Sequence, residues 1–231
     1  MIKHILSFAF AMLLGCSCMA QTGFVKVTKN GQFSINGKAY YYAGTNFWYG
    51  PILGSKGKGG NRIRLNKELD RLHQLGLNNL RIAIGADGGN DVKTRIKPTL
   101  QTAPGVYNDT ILDGLDYLLL QMKKRNMKAV LFLNNAWEWT GGYSQYLAWV
   151  NKENPPVPAT DGWPAYMNYV KQFVFNDSAK ALFANHVRFI INRTNRYRKT
   201  KYTDDPTIMA WQISNEPRCF SNEGKAPFKV W

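Results

Sequence analysis

Apolar and polar residues alternate from Phe24 to Ile35, interrupted by Lys29-Asn30-Gly31-Gln32, and this pattern predicts a β-hairpin. Asn36-Gly37 supplies a second turn into Ala39–Phe47, a Tyr-rich run that reads as a strand. Residues 50–60 (GPILGSKGKGG) show no period and read as a flexible loop. From Arg62 to Leu75 the spacing of Ile63, Leu65, Leu69, Leu72 and Leu75 predicts a helix with one buried face, and Gly76 is placed to end it. Asn79–Ile84 reads as a short strand leading into a Gly/Asp loop with Asp87 and Asp91. A second helix is predicted over 110–126, with Ile111, Leu115, Leu118 and Met122 on one stripe and Asn108 or Asp109 as its cap. Lys128–Asn134 is nearly all apolar, as a strand covered on both faces should be.

A Trp/Tyr/Pro-rich insertion runs from Asn135 to about Pro164. Helices are then expected over Tyr166–Phe175 and Ala179–Tyr197, the latter capped by Ser178. Asp204-Asp205-Pro206 breaks the chain before a fourth strand, Ile208–Ser214, which runs into Asn215-Glu216-Pro217. No internal repeat is present. Strands separated by helices imply right-handed crossovers and a parallel sheet, either open and doubly wound or part of a (β/α)₈ barrel. No GxGxxG or GxxxxGK follows any strand, which removes the usual support for a nucleotide-binding sheet. Polar and aromatic residues collect instead just after the strands, where a barrel builds its active site.

With 45% hydrophobic and 13% aromatic residues, the 231-residue chain is too apolar for disorder. Lys3, the apolar run Ile5–Leu14 and the small residues before Gln21 have the layout of a secretory leader over residues 1–20, too short to span a bilayer. Residues 21–231 then form one unit, secreted or periplasmic. Leu13-Leu14-Gly15-Cys16 offers an alternative, a lipoprotein box that would place the protein on a membrane through Cys16. Cys219 is the sole thiol outside the leader, and His73 and His186 stand without metal-ligand companions on expected helices. The net charge of +15 is densest over Arg188–Lys201. With no nucleic-acid module present, that run reads as the solvated face and end of a helix, where cations suit the dipole. Three N-x-[ST] sites, at Asn108, Asn176 and Asn192, would matter only in a host that glycosylates them.

Glu216 is the central candidate for chemistry. It follows a buried strand, Pro217 stops that strand so that the carboxylate projects at the rim, and Asn215 offers an amide for a sugar hydroxyl. Trp48, Trp137, Trp139, Trp149 and Trp163 fall in or near expected loops, where indoles could stack on the C–H faces of pyranose rings. Glu138 fits loop structuring better than catalysis.

From about Phe24 onward the sequence resembles glycoside hydrolase family 5, in the clan of retaining glycosidases built on (β/α)₈ TIM barrels. The resemblance rests on Gly44-Thr45-Asn46-Phe47-Trp48-Tyr49, Asn79-Leu80-Arg81, Phe132-Leu133-Asn134-Asn135-Ala136-Trp137-Glu138-Trp139 and Trp211-Gln212-Ile213-Ser214-Asn215-Glu216-Pro217-Arg218, in that order. The subset most alike is the endo-β-1,4-mannanases. The resemblance implies a hydrolase of β-linked mannan, galactomannan or glucomannan that needs no cofactor or metal. It implies that Glu216 is the general acid/base, that Asn215 contacts the substrate 2-hydroxyl, and that Arg81 pairs with the nucleophilic carboxylate. Asn46, Trp48, Asn135 and Trp137 fall where the family lines its sugar subsites. The family's nucleophile is a Glu at the end of strand seven, whereas about four βα units are read here, after an N-terminal β-hairpin. The chain therefore reads as an amino-terminal half, expected to be inactive alone. A β-1,4-glucanase of the same family and a non-catalytic glycan-binding protein are the alternatives.

Overall fold

The computed structural model describes residues 23–230, so the leader and Cys16 lie outside the described residues. The chain opens with three short strands, β1 (Lys26–Val27), β2 (Phe33–Ile35) and β3 (Lys38–Ala39), which pair antiparallel in that order. The expected strand Ala39–Phe47 is broken after β3. Its second part, β4 (Ala43–Asn46), begins a separate parallel sheet. There follow α1 (Gly50–Gly54), α2 (Arg62–Gln74), β5 (Leu77–Ala83), the two-stranded ladder of β6 (Gln101–Ala103) and β7 (Val106–Tyr107), α3 (Asp109–Lys124) and β8 (Lys128–Phe132). The insertion holds α4 (Gly142–Asn151), α5 (Pro158–Asp161) and the start of α6 (Trp163–Val170). After it come α7 (Asp177–Ile191), β9 (Ile208–Gln212) and α8 (Lys225–Val230).

Strands β4, β5, β8 and β9 form one parallel sheet in chain order. Each new strand adds to the same edge. The order never reverses, as it must in a doubly wound sheet, so there is no topological switch point among the described strands. The register puts partners on a common face. Leu80 and Ile82 of β5, and Ala129 and Leu131 of β8, are buried against the helices, with Leu65, Leu69, Leu115, Leu118 and Met122. The opposite face carries Asn46, Arg81, Val130 and Gln212, which line a cavity of about 350 Å³. A second core, of Tyr143, Tyr146, Tyr166, Phe173 and Phe183, holds the insertion against α7.

Four local expectations fail, each for a physical reason. The segment expected as a flexible loop contains α1, which is pressed on α3 through glycines instead of an apolar stripe. A Cβ on Gly54 would meet the Gly114 carbonyl oxygen, and one on Gly114 would meet the Pro51 carbonyl oxygen and the Ser55 nitrogen. Gly114→Ala should therefore lower stability by ~1–3 kcal/mol, the usual cost of overpacking, read as a lower urea midpoint. An unchanged midpoint would show that α1 gives way freely.

Helix α7 starts two residues earlier than its expected cap allows, because Asn176, not Ser178, accepts from the Ala179 amide. It also ends at Ile191 and not at Tyr197. Beyond it, the basic run is not a solvated face. Arg193 reaches Asp116 at 2.6 Å, Arg196 reaches Asp109 at 2.5 Å and Arg198 reaches Asp205 at 2.5 Å. The helix stops so that these guanidiniums can turn back to carboxylates on α3 and before β9.

Candidate active site

The loops after β5, β8 and β9 converge at one end of the sheet. After β8 and β9 the chain stays parallel through an Asn135–Asn215 bridge. The Asn215 amide donates to the Asn134 carbonyl at 2.8 Å, and the Ala136 amide donates to the Asn215 carbonyl at 3.0 Å. The Asn215 side chain donates through Nδ2 to Asn135 Oδ1 at 2.9 Å. It accepts at Oδ1 from Arg81 Nη2 at 2.8 Å. Arg81 also donates from Nε to Gln212 Oε1 at 2.7 Å and from Nη1 to Asn46 Oδ1 at 3.3 Å, and its guanidinium lies 4.4 Å above the Phe132 ring. All of its hydrogen-bond partners are neutral amides, and no carboxylate pairs with it among the described residues. Burial pulls the guanidinium below its ordinary pKa, and the Glu216 carboxylate opposes that pull.

Glu216 follows directly, with φ at +45°. A left-handed conformation is costly for a side chain with a Cβ, and more so before proline. The Asn135–Asn215 bridge on one side and Pro217 on the other hold it there. The turn projects a carboxylate that is 54% exposed. Its Oε2 accepts from Trp137 Nε1 at 2.8 Å and lies 3.5 Å from Arg218 Nη2. An exposed carboxyl on a fixed backbone, hydrogen-bonded at Oε2 and open at its other oxygen, can exchange a proton with a bound molecule.

The structure thus gathers Asn46, Arg81, Asn135, Asn215, Glu216 and Trp137 at one rim. Asn135 is fully buried and reaches the rim through Asn215. Trp48 stands apart, exposed, with its ring edge-on to Tyr49 at 5.4 Å. Trp149 packs edge-on to Tyr146, while Trp163 is exposed and edge-on to Trp137. Glu138 is buried in the three-ten turn Glu138–Thr140, away from solvent. Among the described residues no group of three or more His, Cys, Asp or Glu is gathered to hold a metal ion.

Three contributors escaped the sequence reading. Gln212 looks like an ordinary polar position in a strand; the register pairs it with Phe132, and its side chain reaches across β8 to Arg81. Arg218 lies in the quoted motif but carried no assigned role. Asp87 is wholly buried and accepts from Asn134 Nδ2 at 2.9 Å, Tyr146 OH at 3.0 Å and Gln101 Nε2 at 3.1 Å. Burial raises its pKa, against the lowering influence of His186, of the Gln101 and Tyr146 hydrogen bonds and of Arg95. Its grip on Asn134 fixes the residue next to Asn135. His186 is also buried, between the Leu133 carbonyl and the Tyr107 hydroxyl, as a helix-packing residue.

Comparison with known proteins gives a consistent family. A family model described as "GH family 5 beta-mannosidase-like" matches residues 22–231. The chain is 33% identical over 219 residues to mannan endo-1,4-beta-mannosidase 7 of Arabidopsis thaliana, covering 94% of this chain and 46% of that protein. It is 30% identical to mannan endo-1,4-beta-mannosidase 4 of Solanum lycopersicum, covering 88% and 46%. Among solved structures, a family 5 mannosidase from Rhizomucor miehei superposes with TM-score 0.81 and 33% identity, over 90% of this chain and 55% of that one. The endo-1,4-beta-mannanase of the same organism superposes with TM-score 0.66 and 27% identity, over 85% and 49%. The chain spans about half the length of the relatives it matches. The likeness makes its parallel sheet and helices part of a TIM-barrel-type fold.

Proposed function

Because the chain belongs to the glycoside hydrolase family 5 β-mannosidase-like family, we propose that it carries the acid/base side of an endo-acting, retaining β-1,4-mannan hydrolase. In this reading β4, β5, β8 and β9 are the first four strands of an eight-stranded barrel, and β1–β3 close its amino-terminal end. Residues 1–20 are a leader that directs export, or, through Cys16, a surface lipoprotein. Glu216 protonates the departing glycosidic oxygen and afterwards takes a proton from the attacking water. A retaining mechanism needs a second carboxyl about 5–5.5 Å away as nucleophile. Arg81, held by Asn46, Gln212 and Asn215, is the cation placed to fork onto that group and keep it ionised.

The observation that carries the reading is the arrangement at the rim: an exposed Glu216 on a left-handed turn, next to an arginine whose partners are all neutral. The described partners of Arg81 are the neutral amides of Asn46, Gln212 and Asn215, and residues 1–22 contain no Asp or Glu. The 231-residue chain alone is therefore expected to release no reducing sugar from mannan while still being retarded in a galactomannan gel. Release of sugar that disappears in Glu216→Gln would reveal a second carboxylate within these residues.

A second reading has its own support. The superposition on the Rhizomucor miehei family 5 mannosidase is better than that on the endo-mannanase, and a mutant of that mannosidase forms a complex with mannosyl-fructose. Product analysis separates the two, using the product of the complete reading frame. Mannobiose and longer oligosaccharides from mannan support the endo reading, single mannose units support cleavage from chain ends, and activity on β-glucan alone overturns both.

A further inference from the structure

The Trp137 side chain is placed by the sequence reading as a wall of the sugar groove. Its surroundings in the structure fit another task. Trp163 and Phe220 meet the indole edge-on, each at 5.5 Å. Tyr166 lies near-parallel at 6.4 Å, and the Arg218 guanidinium lies over the ring at 5.1 Å. With a cation over it and three aromatic rings around it, the indole has little free face to offer a pyranose. Its one polar group, the Nε1–H, can only donate, and it donates to Glu216 Oε2 at 2.8 Å.

We propose that Trp137 is a positioning residue for the Glu216 carboxylate, holding Oε2 so that Oε1 carries the transferred proton. The inference rests on Glu216 being the acid/base. A carboxylate that is 54% exposed has freedom about its side-chain torsions, and the left-handed backbone fixes only where the chain starts. A hydrogen bond to an ionised acceptor is short and strong and makes the two oxygens inequivalent. No described residue bonds Oε1, which leaves that oxygen available to a substrate. The indole can hold its partner firmly because the loop behind it is itself tied down. Tyr166 OH donates to the Ala136 carbonyl at 2.7 Å, and the Trp137 carbonyl lies against Gly142, where a Cβ would not fit. Lost alignment of about 1 Å at a reacting group costs up to about 10²-fold in rate.

Two measurements on the product of the complete reading frame test this, with Trp137→Phe retaining the ring contacts and lacking the N–H. In ¹⁵N–¹H spectra the indole peak absent from Trp137→Phe belongs to Trp137. That peak should move upfield in Glu216→Gln and should follow an acid titration that leaves it still in that variant, while the peak lost in Trp163→Phe does not respond. In kinetics, Trp137→Phe should lower kcat on mannan about 10–100-fold with KM within about twofold. On an aryl mannoside whose leaving group needs no proton, the first step, read as the initial burst of aryl group, should run near the wild-type rate while the base-dependent second step stays slowed. A Trp137 peak indifferent to Glu216→Gln overturns the inference alone. A raised KM with kcat intact overturns it in favour of sugar stacking. A responsive peak, together with mannan hydrolysis that survives Glu216→Gln, overturns the acid/base reading beneath it. Circular dichroism and melting temperature equal to wild type confirm that each variant is folded.

Discussion

Glu216→Gln is expected to reduce kcat on β-mannan by about 10³-fold, within the 10²–10⁴ that a general acid/base supplies, in the product of the complete reading frame. The substitution isolates proton transfer because little else changes. The amide keeps an oxygen to accept from Trp137 Nε1 and the same volume at the φ +45° turn. The backbone pairing of Asn215 with Asn134 and Ala136 does not involve the side chain. On an aryl mannoside with a good leaving group, the first step needs no acid and should run near the wild-type rate. The second step then lacks its base, so a mannosyl-enzyme accumulates, and azide, which needs no deprotonation, should restore turnover as mannosyl azide. Rates are read by reducing-sugar release and by aryl-group absorbance. Equal loss on both substrates without azide rescue would show that Glu216 matters for structure and not for proton transfer. An undiminished rate on mannan would remove it from the mechanism.

How much of this could be read beforehand varies by element. Helices α2 and α3 and strands β5, β8 and β9 carry their own periodicities, so they were visible locally to within a few residues at their ends. Helix α1 was not, because its packing device is the absence of side chains at Gly54 and Gly114, and an apolar period cannot report an absence. The end of α7 was misplaced because the partners of Arg193 and Arg196 lie on α3, far upstream in sequence. A charge run looks like a solvated face until the carboxylates that meet it are known. At the rim, Arg81, Asn215 and Glu216 were identifiable because each follows a strand within a recurring motif. Gln212 and Asp87 were not, since the first depends on a side-chain contact across an intervening strand and the second on burial. The role of Trp137 depended on which way its N–H points, and motif position carries no such information.

The charge network behind the sheet should dominate stability. Asp116→Ala is expected to lower the unfolding free energy by ~3–5 kcal/mol, the cost of stripping one partner from a buried ion pair. Asp116 is fully buried, and its side chain accepts two bonds from Arg193, at 2.6 and 3.1 Å, one from Tyr202 OH at 2.7 Å and one from the Arg196 main-chain amide at 3.3 Å. Its main-chain carbonyl accepts from Asn195 Nδ2 at 2.9 Å, so this one position ties α3 to the segment that leads into β9. Removing the carboxylate leaves the Arg193 guanidinium, 13% exposed, without its anion and the Tyr202 hydroxyl without an acceptor. A single domain is stable by only ~5–15 kcal/mol, so such a loss brings the fold close to its limit. The control is Asp70→Ala, whose pair with Arg125 involves a carboxylate 56% exposed and which should leave the urea midpoint in place. Arg193→Met in the Asp116→Ala background should recover part of the loss, because the stranded charge and not the missing contact causes most of it. If Asp116→Ala shifts the midpoint no more than the control does, the pair is not buried as described. If the double variant is worse than the single, Arg193 contributes through packing of its stem, and β9, with Glu216 at its end, is held by contact and not by charge.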